Sequence, residues 1–133
     1  MSRLKEKSNI NHESASILIA RNLHASSIHC SYYSIFQLLK YVVHELTGDS
    51  YDEIANKTRR SGKGTHLYIK DEILKFVRDN RQEYRFFKNS IKDLKHFRVQ
   101  SDYEDIDIDS GKSNESLRLA TELREFINEK VKT

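Results

Sequence analysis

The chain has 133 residues with a formal net charge of +3, no proline, four glycines and a single cysteine, Cys30. That length suits one domain with a real core. One cysteine excludes an internal disulfide and fits a reducing cytoplasm, and no run of about 18 apolar residues exists to cross a membrane. A charge this small does not by itself imply a nucleic-acid partner.

The absence of proline, the scarcity of glycine and the abundance of Lys, Glu, Leu and Ile predict an all-α fold of long helices. The first helix is expected from about Leu4 to Asn22, with Ile10, Ser14, Ile17 and Arg21 in line. Its polar start, about residues 1–8, is expected to be flexible and lacks the apolar core of a signal peptide. The second, from about Ala25 to Leu46, carries the clearest rhythm: Ile28, Tyr32, Ile35, Leu39, Val42 and Leu46 alternate between spacings of four and three. Beside that seam runs a polar line, His29, Tyr33, Gln37, Lys40 and His44. It reads either as a solvated flank or as the wall of a cleft or subunit interface.

Thr47 to Gly64 reads as a connection. Gly48 stops the preceding helix, Tyr51 to Ala55 make at most one turn, and residues 56–64 form a basic, flexible loop. A third helix follows from about Thr65 to Asp79. In the fourth, Tyr84, Phe87, Ile91 and Leu94 make an apolar stripe whose next position is Arg98, with Asp102 one turn on and Tyr103 after it. A charge in line with an apolar stripe is either paired near the core or facing a cleft. An acidic loop is expected at 104–112, then a last helix to about Lys130 with Ser113 and Ser116 as candidate caps.

The charge is unevenly spread. Lys57 to Arg98 holds thirteen Lys and Arg against five Asp and Glu, and Asp102, Glu104, Asp105, Asp107 and Asp109 follow at once. Solvated helix faces and a phosphate-binding surface both fit the basic region.

Three motif classes fail. Ser61-Gly62-Lys63-Gly64-Thr65 and Ser110-Gly111-Lys112-Ser113 echo a phosphate loop, but no strand is expected, and Ile106 stands where the second would need its first glycine. Asp105, Asp107 and Asp109 open like a calcium loop, yet Ser110 replaces its glycine and Ser116 its glutamate. The six histidines include no HExxH pair and no Cys/His cluster, so neither a metal nor another cofactor is expected.

Two stretches carry a resemblance. Ser27-Ile28-His29-Cys30-Ser31-Tyr32-Tyr33-Ser34-Ile35-Phe36 looks like an A-I-x-x-x-Y-Y-A-x-F helix. Leu94-Lys95-His96-Phe97-Arg98-Val99-Gln100-Ser101-Asp102-Tyr103 looks like an L-x-x-x-R-x-x-A/S-D-Y ending, and Thr65-His66 stands between them. Together they resemble the HEPN domains (higher eukaryotes and prokaryotes nucleotide-binding), in the double-Tyr branch, over roughly Ser14 to Val131. The resemblance implies a single domain, an up-and-down bundle of four to five helices, and a prokaryotic, cytoplasmic homodimer. It further implies a nucleotidyltransferase as partner protein in a toxin–antitoxin or defence-type pair, and RNA or nucleotide as ligand. Many relatives are metal-independent endoribonucleases with Arg, four to six residues, then His. Arg98 matches that Arg, but the position five residues on is Tyr103. Arg60 and His66 fit the spacing only across a Gly-rich loop.

Tyr, with a pKa of about 10, suits neither acid nor base work at neutral pH, whereas His suits both. The site residues implied are therefore Tyr33, Arg98, Asp102 and Tyr103, with His29 and His66 at the margin. Three functions stay open. Arg98 binds a phosphate or nucleotide by its planar fork; Arg98 serves RNA cleavage with His29 or His66 replacing the missing base; or an Arg98–Asp102 pair merely orders a ligand-free scaffold.

Overall fold

The computed structural model describes residues 2–131, which form six helices and no strand: α1 (Arg3–Ala20), α2 (His24–Thr47), α3 (Tyr51–Ser61), α4 (Thr65–Val77), α5 (Arg81–Tyr103) and α6 (Ser110–Val131). The fold is the all-α bundle expected. Local chemistry sets its boundaries. Ser2 accepts from the Lys5 N–H to open α1. Asn22 turns the chain toward α2 at a φ of 60°, a left-handed conformation that Asn tolerates. Gly48 and Gly62 end α2 and α3 at φ 74° and 73°, where a side chain would be strained.

Three expectations are corrected. Residues 51–61 are not a turn and a basic loop but helix α3. A capping box drives it: Ser50 Oγ accepts from the Glu53 N–H, and the Glu53 carboxylate accepts from the Ser50 N–H. Only Ile54 and Thr58 of α3 are buried, so its apolar signal is thin. The last helix begins at Ser110, not at a Ser113 cap. Asp109 Oδ1 accepts from the Lys112 N–H instead, and Ser113 and Ser116 lie buried inside the helix. The first helix begins at Arg3, within the stretch expected to be flexible.

α2 is the central element, packed against α1, α4, α5 and α6. Ile35, Leu38, Leu39 and Val42 of α2 meet Ile69 and Ile73 of α4, Phe87 and Leu94 of α5, and Leu123 and Ile127 of α6 in one buried cluster. Burying a side chain of this size contributes about 1.5–3 kcal/mol, so this cluster dominates stability. α1 meets α2 through small residues. Ser27 Oγ donates to the Ala15 carbonyl at 2.7 Å and Ser8 Oγ to the Ser34 carbonyl at 2.5 Å. Those pairs run α1 and α2 antiparallel. His29 opposite Asp102 with Tyr32 under Arg98 does the same for α2 and α5, as does Phe86 against Phe126 with Glu83 beside Lys130 for α5 and α6. The four long helices thus alternate in direction, with α4 set beside α2 and α5 and α3 beside α4. No described helix is long and apolar enough to cross a membrane.

Candidate functional site

The α2 rhythm points Tyr32 into the core at 4% exposure and leaves its neighbour Tyr33 half-buried. α5, running antiparallel, brings Arg98 over both. The Arg98 Cζ lies 5.0 Å from the Tyr32 ring centroid, 5.9 Å from that of Tyr33 and 5.6 Å from that of Tyr103. Such cation–π contacts hold a guanidinium in place without neutralising it.

Arg98 is 9% exposed, yet its polar atoms are poorly matched. The nearest carboxylate oxygen, Asp102 Oδ2, is 3.6 Å from Nη1, beyond hydrogen-bond range. Its Nε is buried with no partner among the described residues. Asp102 instead accepts from His29, whose Nδ1 lies 3.0 Å from Oδ2 and 3.2 Å from Oδ1. His29 also packs on Tyr33, with ring centroids 4.6 Å apart.

α4 contributes His66, at its second position. The ring stacks on Phe36 at 4.0 Å and on Tyr32 at 5.4 Å, and stands edge-on to Tyr33 at 6.0 Å. Its Nδ1 lies 2.5 Å from the Tyr32 hydroxyl. Burial pushes the Tyr32 phenol up to about 12, despite the opposing Arg98 charge. The phenol therefore keeps its proton and donates it. Burial first, then the charges of Arg98 and Lys95, hold the His66 pKa below its ordinary value. A neutral His66 that accepts at Nδ1 carries its hydrogen on Nε2 and is a donor there.

The structure thus gathers Tyr33, Arg98, Asp102, Tyr103, His29 and His66 into one cluster between α2, α4 and α5. Arg60 lies in the last turn of α3, and no described contact joins it to the others. The polar line on α2 divides. His29 and Tyr33 enter the cluster, but Gln37 accepts from Asn11 at 2.9 Å and His44 Nδ1 donates to the Asp49 carbonyl at 2.6 Å. Two contributors went unread in the sequence: Tyr32, assigned to the apolar seam, and Phe36, which backs His66. Adjacent tyrosines were the available signal, since neighbouring helix positions point about 100° apart and both found the same guanidinium. No group of three or more His, Cys, Asp or Glu among the described residues is arranged to hold a metal.

The arrangement can bind an anion: a cation with spare donors, a neutral imidazole N–H and aromatic faces converge. Comparison with known proteins bears on that chemistry. No curated protein and no solved structure matches the chain. The profile of the HEPN domain matches residues 1–130, nearly the whole length. The match covers both motif stretches and every residue of the cluster, and supports a nucleotide- or RNA-related module in general terms; the chain belongs to the HEPN domain family.

Proposed function

We propose that the chain is a nucleotide- or RNA-binding HEPN module that works as a cytoplasmic homodimer, with a phosphate held at Arg98. One observation carries this reading: Arg98 sits among three tyrosines with its Nε unpartnered and its nearest carboxylate 3.6 Å away. A structural ion pair would be closer and more fully bonded. Tyr33 and Tyr103 offer faces to a base, and His66 supplies a neutral N–H donor. The family resemblance supports a nucleotidyltransferase of a toxin–antitoxin or defence-type pair as the partner protein. The test is RNA binding by the wild type beside Arg98→Met. A loss of more than about tenfold, or about 1.4 kcal/mol, is expected. Unchanged binding by a folded variant overturns the reading.

A second reading, a metal-independent endoribonuclease, is favoured by the Asp102–His29 pair. A neutral His29 that donates Nδ1–H to Asp102 presents a bare Nε2, the arrangement in which a carboxylate fixes a histidine as base. His29 accepts the 2′-hydroxyl proton as the 2′-oxygen attacks phosphorus, and Arg98 stabilises the pentavalent phosphorus. The bond to the 5′-oxygen breaks as that oxygen takes the proton back from His29, leaving a 2′,3′-cyclic phosphate and a 5′-hydroxyl. His66 does not serve as that base, because its Nδ1 is taken by Tyr32. RNA integrity in cells expressing the wild type, His29→Ala and Arg98→Ala separates the readings. Degradation by the wild type only establishes cleavage, and intact RNA in all three leaves a binding module.

A further inference from the structure

Beside the Arg98 cluster, between α4 and α5, opens a cleft of about 620 Å³. That is the scale of a small-ligand site. Tyr32 and His66 form the wall it shares with the cluster. The rest of its apolar lining is Ile91, buried, Val99, half-buried, and Leu67, 41% exposed. Lys70, Lys92 and Lys95 stand around it, and none is ion-paired among the described residues. Asp93 is the one carboxylate in the lining, so the cleft stays cationic. The charge of Lys95 reaches His66, as does that of Arg98.

We infer that this cleft takes an unpaired base of a single-stranded RNA whose backbone phosphate lies at Arg98, an inference that rests on the phosphate-binding reading of the cluster. The apolar lining suits the face of a base, and the surrounding ammonium groups suit the phosphates on either side of it. A duplex keeps its bases paired and stacked and cannot lend one to a recess between helices, whereas a single strand splays bases out. A free mononucleotide fits less well, because three lysines beyond Arg98 supply more cation than one phosphate group engages.

The experiment is fluorescence anisotropy on the full chain, with a labelled single-stranded RNA of about 12 nucleotides, the same sequence as a duplex, and AMP as competitor. The single strand is expected to bind at least about tenfold tighter than the duplex, with AMP a weak competitor. Leu67→Glu, at a partly exposed position, should weaken single-strand binding by about tenfold. Lys92→Ala with Lys95→Ala should flatten the salt dependence by about 0.7 per lysine removed, a readout that a merely structural role would not move. Duplex binding as tight as the single strand, or AMP competing as well as the oligonucleotide, overturns the inference. If Arg98→Met abolishes binding and a folded Leu67→Glu does not weaken it, the cleft is wrong and the Arg98 reading stands. If neither variant weakens binding, both fall. Should Leu67→Glu fail to fold, Leu67→Gln takes its place.

Discussion

Two arginines in this bundle stand beside histidines, and the fold treats them differently. Arg124 of α6 donates Nη1–H to Ser8 Oγ at 2.7 Å and Nη2–H to Asn9 Oδ1. Its neighbour His12 meets Thr121 Oγ1 at 3.0 Å. Arg98, more deeply buried, has tyrosine rings around it, a carboxylate out of hydrogen-bond range and an unpartnered Nε. Neutral oxygens satisfy Arg124 and fasten α1 to α6. Aromatic faces fix where Arg98 sits and leave its donors unspent. A buried cation left in that state costs stability, and the phosphate proposed above would offset that cost by restoring its hydrogen bonds.

The sharpest way to break this contrast is to remove each guanidinium and keep its apolar stem. Arg124→Met should lower the unfolding free energy by about 1.5–3 kcal/mol, since hydrogen bonds to a charged group are lost at a half-buried site. RNA binding should be untouched. Arg98→Met should change stability by less than about 1 kcal/mol, because replacing a poorly compensated buried charge by an apolar stem is close to neutral. Urea denaturation checks both. A loss at Arg98 as large as that at Arg124, with binding intact, makes Arg98 a structural residue of a ligand-free scaffold.

Acid tests both sides together. Burial and Arg124 hold the His12 pKa low, and burial, Arg98 and Lys95 hold that of His66 low. The folded chain keeps both rings neutral while the unfolded chain takes up protons near pH 6.5. Their full contribution is therefore present above that pH. Stability falls as the pH drops below it toward the depressed folded values, and then levels. The drop should shrink in His12→Gln combined with His66→Gln. A drop of the same size in the double variant removes these histidines as its cause. The smallest effect concerns Asp102. Its carboxylate competes with any anion at Arg98, so Asp102→Asn should tighten RNA binding by two- to threefold, about 0.5 kcal/mol. Weakened binding would place Asp102 among the ligand's own contacts.

Much of this organisation was legible in the sequence. The α2 seam and the α5 stripe follow the 3.6-residue period because each buries a continuous face, and Arg98 stood out by interrupting one. The α3 helix does not show in the hydrophobic pattern because it buries only Ile54 and Thr58, and its start rests on a Ser50–Glu53 capping box that the apolar periodicity does not register. The i,i+4 pairing of Arg98 with Asp102 could be read locally, but Asp102 is shared with His29, 73 positions away. Only the antiparallel packing of α2 and α5 reveals that competition, and it leaves Arg98 short of partners. Tyr32 was read as core by its periodicity. It is core at the ring and polar at the hydroxyl, a division that periodicity cannot express.

The fastening of α1 to α6 has a consequence in time. Ser8 and Arg124 lie 116 positions apart. A ribosome adding roughly 5–20 residues per second takes about 6–23 s to make the second after the first. For that interval α1 and α2, joined by three residues, can pair locally and fast, while the side of both that α6 will cover stays bare. The nascent chain therefore waits with an open flank, and factors that guard unfinished domains have their longest opportunity there rather than at the Arg98 cluster, which needs only α2, α4 and α5.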